Sequence, residues 1–414
     1  MASSPACPFR FDPLSPGQLA DPYPIYARAR AEHPVFHSPA HGFWVVSRYE
    51  DVVAVLRDHE SFSSVNATRS APAAPPPEVA AALADGHPLG PTLTDSDEPI
   101  HRRLRGLVNK AFTHKRVAGH EELIRDAAGE LIDAFASEGR ADLIEQFAWP
   151  LPLIAIGSIL GVPREDLADL HRWSYDWLRL QQATDSIDEQ VACARSVVAM
   201  QRYFLEALRE RAEEPRDDLM SDLVHAEIAG QQPLDEIEAM RIVMNLVIAG
   251  HVTVTRAIGN GVVLLLDHPS ERERMLSDPG VVATAMEEVL RMESPAQGLF
   301  RTATRAVRIG GVDLPEGARL MVHYGSANRD EERFDEPARF DVRREDILRH
   351  VAFGKGIHVC VGAPLARLEL RIAVPMLFRR LPGLRLHGPD AAVRDTIFFA
   401  RGFKRLIVDW DPPR

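Results

Sequence analysis

A chain of 414 residues, 45% hydrophobic and 26% charged, has the composition of a soluble globular protein and is long enough to enclose a bulky group in its core. Its formal net charge of -12 excludes the basic stripe on which nucleic-acid binding depends. Three cysteines, Cys7, Cys193 and Cys360, stand far apart with no C-x-x-C pair, which excludes a disulfide framework and a cysteine zinc site and fits a reducing, cytoplasmic setting. The N-terminus lacks the basic-then-apolar pattern of a signal peptide. The nearest apolar run, "WPLPLIAIGSILGV", is too short and too interrupted by Pro and Gly for a membrane span.

In chain order, "HGFWVVSRYEDVVAVLRD" predicts a short strand followed by a helix. Residues 61–97 are loose and rich in Pro, Ala and Gly. By composition they fit either a linker or a mobile loop over a binding site. From residue 98 to about 292 helical patterns dominate. "HRRLRGLVNKAF" places Leu104, Leu107, Val108 and Phe112 on one face, and further helices are expected near 120–137, 163–180 and 187–213. The longest runs from Asp235 to about Asp267, opened by a capping box of Asp235 and Glu238 and closed before Pro269, about 50 Å in all. Its centre, "AGHVTVT", joins Gly250 to four β-branched residues, an unfavourable choice for a helix. After residue 300 alternation and turn glycines predict strands and hairpins, then one more helix at "APLARLELRIAVPMLFRRL" and short strands to the end. The expected fold class is mainly α with a smaller β region.

"HVAFGKGIHVCVGAPLARLEL" carries the most chemistry. Cys360 sits between a glycine-rich loop and a helix start, where spare N–H donors and the positive helix end favour a thiolate and lower a cysteine's pKa. Gly354, Gly356 and Gly362 permit tight turns and close approach of a flat ligand, and Phe353 can shield the sulfur from water. A lone cysteine is ordinarily a small buried hydrophobe. The full string F-x-x-G-x-[HR]-x-C-x-G, met by Phe353, Gly356, His358, Cys360 and Gly362, closely resembles the haem-thiolate loop of the cytochrome P-450 family.

The resemblance extends over most of the chain and implies one cytochrome P-450 domain spanning residues 1–414, with the haem between the long helix and the cysteine loop. Cys360 would be the axial iron ligand. Glu288 and Arg291 in "EEVLR" resemble the family's E-x-x-R pair, and Arg339 in "DEPARFD" resembles its third member, an ion cluster with a folding role. His101 and Arg105 resemble the H-x-x-x-R that meets a haem propionate, and Arg301 and His358 match two further propionate partners. "AGHVTVT" resembles A-G-x-[DE]-T: Gly250 would let the helix bend, and Thr253 aligns with the threonine that helps to protonate dioxygen. Val252 departs from the pattern, standing where the family usually has Asp or Glu. Proton delivery would then fall to water, His251, Thr255 or a substrate group.

By position in the family, Asn245, Ile248, Ala249, Ala296, Gln297, Leu299, Ile397 and Phe398 would line the substrate pocket. Residues 61–97 would form its lid, which selects the loop over the linker. The implied activity is monooxygenation of a lipophilic small molecule, steroid, terpenoid or macrolide-like, by a monomer carrying haem b. No flavin domain or ferredoxin-like cysteine pattern is present. Electrons would come from a ferredoxin and its NAD(P)H-dependent reductase, meeting Lys355, Arg367 and Arg371 near Cys360. Val252 mildly favours a peroxide-driven peroxygenase as the rival, and a haem-thiolate protein that only binds ligands is the second.

Overall fold

A computed structural model describes residues 10–69, 74–182, 185–226, 233–397 and 399–411. Seven helices position the site: α1 (Ile100–Val108), α2 (Pro150–Leu160), α3 (Leu167–Gln182), α4 (Ile187–Glu213), α5 (Glu236–Asp267), α6 (Val282–Met292) and α7 (Ala363–Arg380). α5 begins on the expected capping box: the Asp235 side chain accepts from the Glu238 N–H at 2.7 Å, and the Glu238 carboxylate accepts from the Asp235 N–H at 3.2 Å. It ends at Asp267, with Pro269 opening the next helix. Among the described residues α5 is the one helix long and apolar enough to cross a membrane by composition, and most of that stretch is core. Its flanks pack against α2, α4 and α7.

α2 is the apolar run "PLPLIAIGSIL". It is buried nearly all round, which explains why no one-sided periodicity marked it as a helix. Its prolines fall in the first turn, where they cost no helical hydrogen bond, and Gly161 closes it in the left-handed region at φ 82°.

The β region is small. β1 (Val35–Ser38), β2 (Phe43–Val46), β3 (Phe62–Ser63), β4 (Leu299–Ala303) and β5 (Arg319–Val322) form one sheet in the order β1-β2-β5-β4-β3. All neighbours are antiparallel except β2 and β5, whose parallel pairing joins Val45 to Met321. The expected hairpin is Val307–Ile309 paired with Val312–Leu314 through Gly310 and Gly311, both at positive φ. Phe403–Asp409 pairs with Arg140–Asp142, so the C-terminus closes back onto the helical half.

Candidate active site

The cysteine loop turns on glycines. Gly354 and Gly356 sit at φ 69° and 72°, and a Cβ at Gly356 would stand 2.2 Å from the Leu56 carbonyl oxygen. The loop closes when the Cys360 N–H donates to the Phe353 carbonyl at 2.9 Å. Gly362 caps α7, with Ala363 and Pro364 in its first turn. The sulfur of Cys360 remains open at its surface although the fold surrounds it. The sequence predicted a depressed thiol pKa. Instead burial pushes it up, and the Gly362 and Ala363 N–H groups with Arg105 and Arg367 offset only part of that rise.

Around this loop lies a set of buried basic groups with few partners, of which His101 alone has a carboxylate within reach among the described residues, its Nδ1 lying 3.4 Å from Glu98. His101 and His358 stack with ring centroids 4.0 Å apart. His101 Nε2 and both ring nitrogens of His358 have no hydrogen-bond partner among the described residues. Burial first, then the charges of Arg301 and His101, hold the His358 pKa down at about 3. Arg301 is buried and donates to the neighbouring Phe300 carbonyl at 2.8 Å, with no ion pair among the described residues. Arg105, half-buried, holds Asn109 at 2.8 Å. Keeping the Arg301 guanidinium without an ion pair, and the ring nitrogens of His101 and His358 short of partners, in a protein interior costs on the order of several kcal/mol, as expected of a site shaped for an anionic group.

The long helix turns a distinct face toward the interior. Among buried neighbours, Asn245, Gly250 and Thr253 are half-buried and Ala249 is exposed, a spacing that places them on one side. Thr253 Oγ1 donates to the Ala249 carbonyl at 3.1 Å. Gly250 does not break α5, which is helical throughout. Its lack of a side chain serves packing, since a Cβ there would come within 3.0 Å of Ile156 on α2.

Two expected relay residues face elsewhere. His251 and Thr255 each lie two positions from Thr253, about 200° around the helix. The Nδ1 of His251 is 2.7 Å from the Val247 carbonyl, its ring meets His171 at 6.0 Å, and burial lowers its pKa to about 3. Thr255 is buried and donates to the His251 carbonyl at 2.9 Å. Neither is placed to feed protons to Thr253.

The expected pocket residues divide. Asn245 and Ile248 line a cavity of about 420 Å³ beneath residues 65–69 and 89–100, bordered also by Trp177, Gln181 and Met244. The Thr94 hydroxyl lies 3.3 Å from Asn245 Oδ1. Gln297 turns away: its Nε2 donates to the Ser294 carbonyl at 2.7 Å, and its Oε1 accepts from Tyr26 at 3.4 Å. Ile397 joins Gln297 around a separate cavity of about 30 Å³. Ala296 bridges to Ala400, and Leu299 starts β4, half-buried against the sheet. Phe398 lies outside the described residues.

Residues 61–97 contain β3 and a helix, Pro77–Leu83, and are tied down at several points. Gln201 and His87 exchange hydrogen bonds of 2.8 and 2.9 Å, Arg241 donates to the Pro88 carbonyl at 2.7 Å, and Arg69 reaches Gln181 at 2.5 Å.

The ion cluster forms with one change of member. Glu288 and Arg291 are fully buried and paired through bonds of 2.7 and 2.8 Å. The third side chain is Arg344, whose Nε lies 3.2 Å from both Glu288 oxygens. The Arg339 side chain is exposed and pairs with Glu336 at 2.8 Å, and only its carbonyl accepts from Arg291 and Arg344. Beside this cluster lies one that sequence reasoning missed. Glu287 accepts from Arg367 Nε at 2.6 Å and contacts His350 Nε2 at 2.8 Å, so Arg367 is not a free surface charge. The doubled acid in "EEVLR" was the available signal.

A family model for Cytochrome P450 matches residues 174–383. The chain is 39% identical to Cytochrome P450 107B1 of Saccharopolyspora erythraea over 92% of its own length and 93% of the relative's. The chain belongs to the cytochrome P450 family. This P450 is also 37% identical to the mycinamicin IV hydroxylase/epoxidase of Micromonospora griseorubida, over 89% of each chain. Its fold superposes on the structure of CYP109Q5 from Chondromyces apiculatus with a TM-score of 0.86, at 36% identity, covering 97% and 98% of the two chains. It is a monooxygenase by family, and the family's cofactor is haem. The residues present fit that group. Cys360 is exposed, His101 and His358 carry buried ring nitrogens short of partners, and Arg301 is a buried cation with no ion pair among the described residues, as the two carboxylates of a haem require.

Proposed function

We propose that this P450 binds haem b with Cys360 as its axial ligand and oxygenates a lipophilic small molecule in the cavity beside Asn245 and Ile248. The observation that carries this reading is the convergence of unpaired buried donors on the cysteine loop. Arg301, His101 and His358 would take the propionates, with Arg105 beside them, and Phe353 and Gly362 would flank the sulfur. When bound, a thiolate-ligated haem supplies dioxygen activation, using two electrons and two protons to put one oxygen atom into substrate and release the other as water.

The chain's own residues then define the proton and substrate problem. Thr253 is the hydroxyl on the open face of α5, held by Ala249 until another acceptor is offered. Val252 is buried and cannot titrate. With His251 neutral on the far side, proton delivery to Thr253 rests on water and on polar groups of the substrate. The cavity volume suits a mid-sized molecule. Its lining of Trp177, Met244 and Ile248 with Asn245 and Gln181 suits a lipophilic skeleton bearing oxygen functions, and one relative is named for its action on mycinamicin IV. Electrons would come from a separate ferredoxin and its NAD(P)H-dependent reductase. The test is the carbon monoxide spectrum of the reduced, haem-loaded protein. The red-shifted Soret band that gives the family its name is expected, and its absence from folded protein would overturn the ligand assignment.

Val252 favours a second reading, a peroxygenase that takes its oxygen from hydrogen peroxide and needs no relay. Faster turnover with peroxide alone than with redox partners would decide for it.

A further inference from the structure

Beside the sulfur, a buried carboxylate holds two bases at once. Glu287 on α6 accepts from Arg367 Nε at 2.6 Å and Nη2 at 3.0 Å, and from His350 Nε2 at 2.8 Å. The tautomer of His350 follows from its other nitrogen: Nδ1 accepts from the Ala352 N–H at 3.2 Å, so Nε2 carries the proton and donates. Burial, the largest influence, lowers the His350 pKa, in keeping with the single ring proton this geometry assigns. Burial opposes the charge of Glu287 as well, but the bonds from His350 and Arg367 outweigh it and hold the carboxyl down at about 2. The cluster thus balances one carboxylate against one guanidinium. That guanidinium lies 4.5 Å from the centre of the Phe353 ring, and the Phe353 carbonyl accepts the Cys360 N–H. A short chain of contacts therefore runs from Glu287 through Arg367 and Phe353 to the backbone of the sulfur-bearing residue.

We propose that Glu287, His350 and Arg367 form a charge-balanced clamp that positions Phe353 over Cys360 and sets the reduction potential of the bound haem. The proposal rests on the haem-thiolate reading above. Reduction adds an electron near the sulfur, so an uncompensated cation nearby favours the reduced form and an uncompensated anion disfavours it. Glu287 and Arg367 act with opposite sign, each masking the other. His350 is a positioning residue, because a neutral imidazole orients the carboxylate without adding charge.

The experiment is spectroelectrochemistry of the substrate-free haem protein, with haem content and the carbon monoxide spectrum recorded for every variant. Glu287→Gln should raise the potential and Arg367→Gln should lower it, each changing the ferric-to-ferrous ratio at fixed applied potential by roughly threefold or more. The double variant should return close to wild type. Arg367→Lys, which keeps the charge, should stay nearer wild type than Arg367→Gln. Shifts of the same sign in the two single variants, or no shift in either, would overturn the proposal. If Glu287→Gln fails to retain haem, the Arg367→Gln and Arg367→Lys pair decides: equal potentials overturn it. A wild-type protein without the red-shifted band would instead defeat the ligand assignment on which it rests.

Discussion

The two sides of this molecule are held by different chemistry. On the sulfur side, two buried carboxylates are held by charged or ring partners, Glu288 by Arg291 and Arg344 and Glu287 by Arg367 and His350, while Glu369 on α7 is buried with neither oxygen partnered among the described residues. On the cavity side, the segment over the pocket is pinned by hydrogen bonds in which at least one partner is a neutral amide or carbonyl, from Gln201, Arg241 and Gln181, with no carboxylate in any of these three. Breaking a buried charge pair strands an ion in low dielectric, whereas losing a half-exposed hydrogen bond exchanges it for water. The difference teaches that rigidity is concentrated where a ligand atom must not move, and that modest bonds suffice where a substrate must pass.

The sharpest attempt to break the contrast is at the sulfur. Cys360→Ser should abolish the red-shifted carbon monoxide band and reduce product formation below detection, with the circular dichroism spectrum unchanged. Glu288→Ala should destabilise the fold by about 3–5 kcal/mol, and Arg344→Ala should cost more than Arg339→Ala, which should stay within about 0.5 kcal/mol. Thermal unfolding of the three checks this, and equal costs for the two arginines would erase the assignment of Arg344 to the cluster. At the open face of α5, Thr253→Ala should lower product formed per electron consumed by roughly tenfold or more, and Val252→Glu should raise coupling above wild type. No change in coupling or solvent isotope effect with Val252→Glu would remove the missing acid from the account. On the cavity side, Gln181→Ala removes one bond worth about 1 kcal/mol, so substrate KM should move only a few-fold while the potential stays fixed.

A pH experiment tests the buried titratable groups. The folded pKa of His251, about 3, lies below its ordinary 6.5 because burial disfavours its charged form. Its contribution to stability is present above pH 6.5 and is lost as pH falls toward 3, because the unfolded chain takes up the proton first. Glu287, held at about 2, loses its contribution only below its ordinary 4.5. Replacing His251 with Gln should lessen the slope of the stability profile between about pH 6.5 and 4.5, a window it shares with His323 and His358, also held at about 3 by burial, leaving the more acidic limb in place. An unchanged slope in that window would show that His251 is not buried in its neutral form.

Much of this was legible from residue order alone. The cysteine loop, the Glu288–Arg291 pair, the caps of α5 and the helices near 120, 163 and 187 followed from motif spacing and periodicity. What was missed follows from where periodicity carries no information. Arg339 and Arg344 lie in irregular chain, where no repeat says which side chain turns inward. α2 hid because it is apolar on every side. Gln297 was assigned to the pocket by position, but a buried amide goes where its hydrogen bonds are met, here at Ser294 and Tyr26. His251 and Thr255 were different. The helical repeat that placed Thr253 already put them on the opposite face, and the shared motif obscured it.

The contact between Gly356 and Leu56 has a kinetic meaning. The turn that carries the sulfur rests against a carbonyl synthesised 300 residues earlier, and Tyr49 and Arg30 likewise reach Asp330 and Glu331. Contacts so distant along the chain form late and slowly, after most loop-closure entropy has been spent. The Leu56 carbonyl is made early and gains this partner only once the last quarter of the polypeptide has left the ribosome. Acceptance of the prosthetic group is therefore expected to be among the final events of maturation, and Gly356→Ala should slow it far more than it alters the finished protein's helix content.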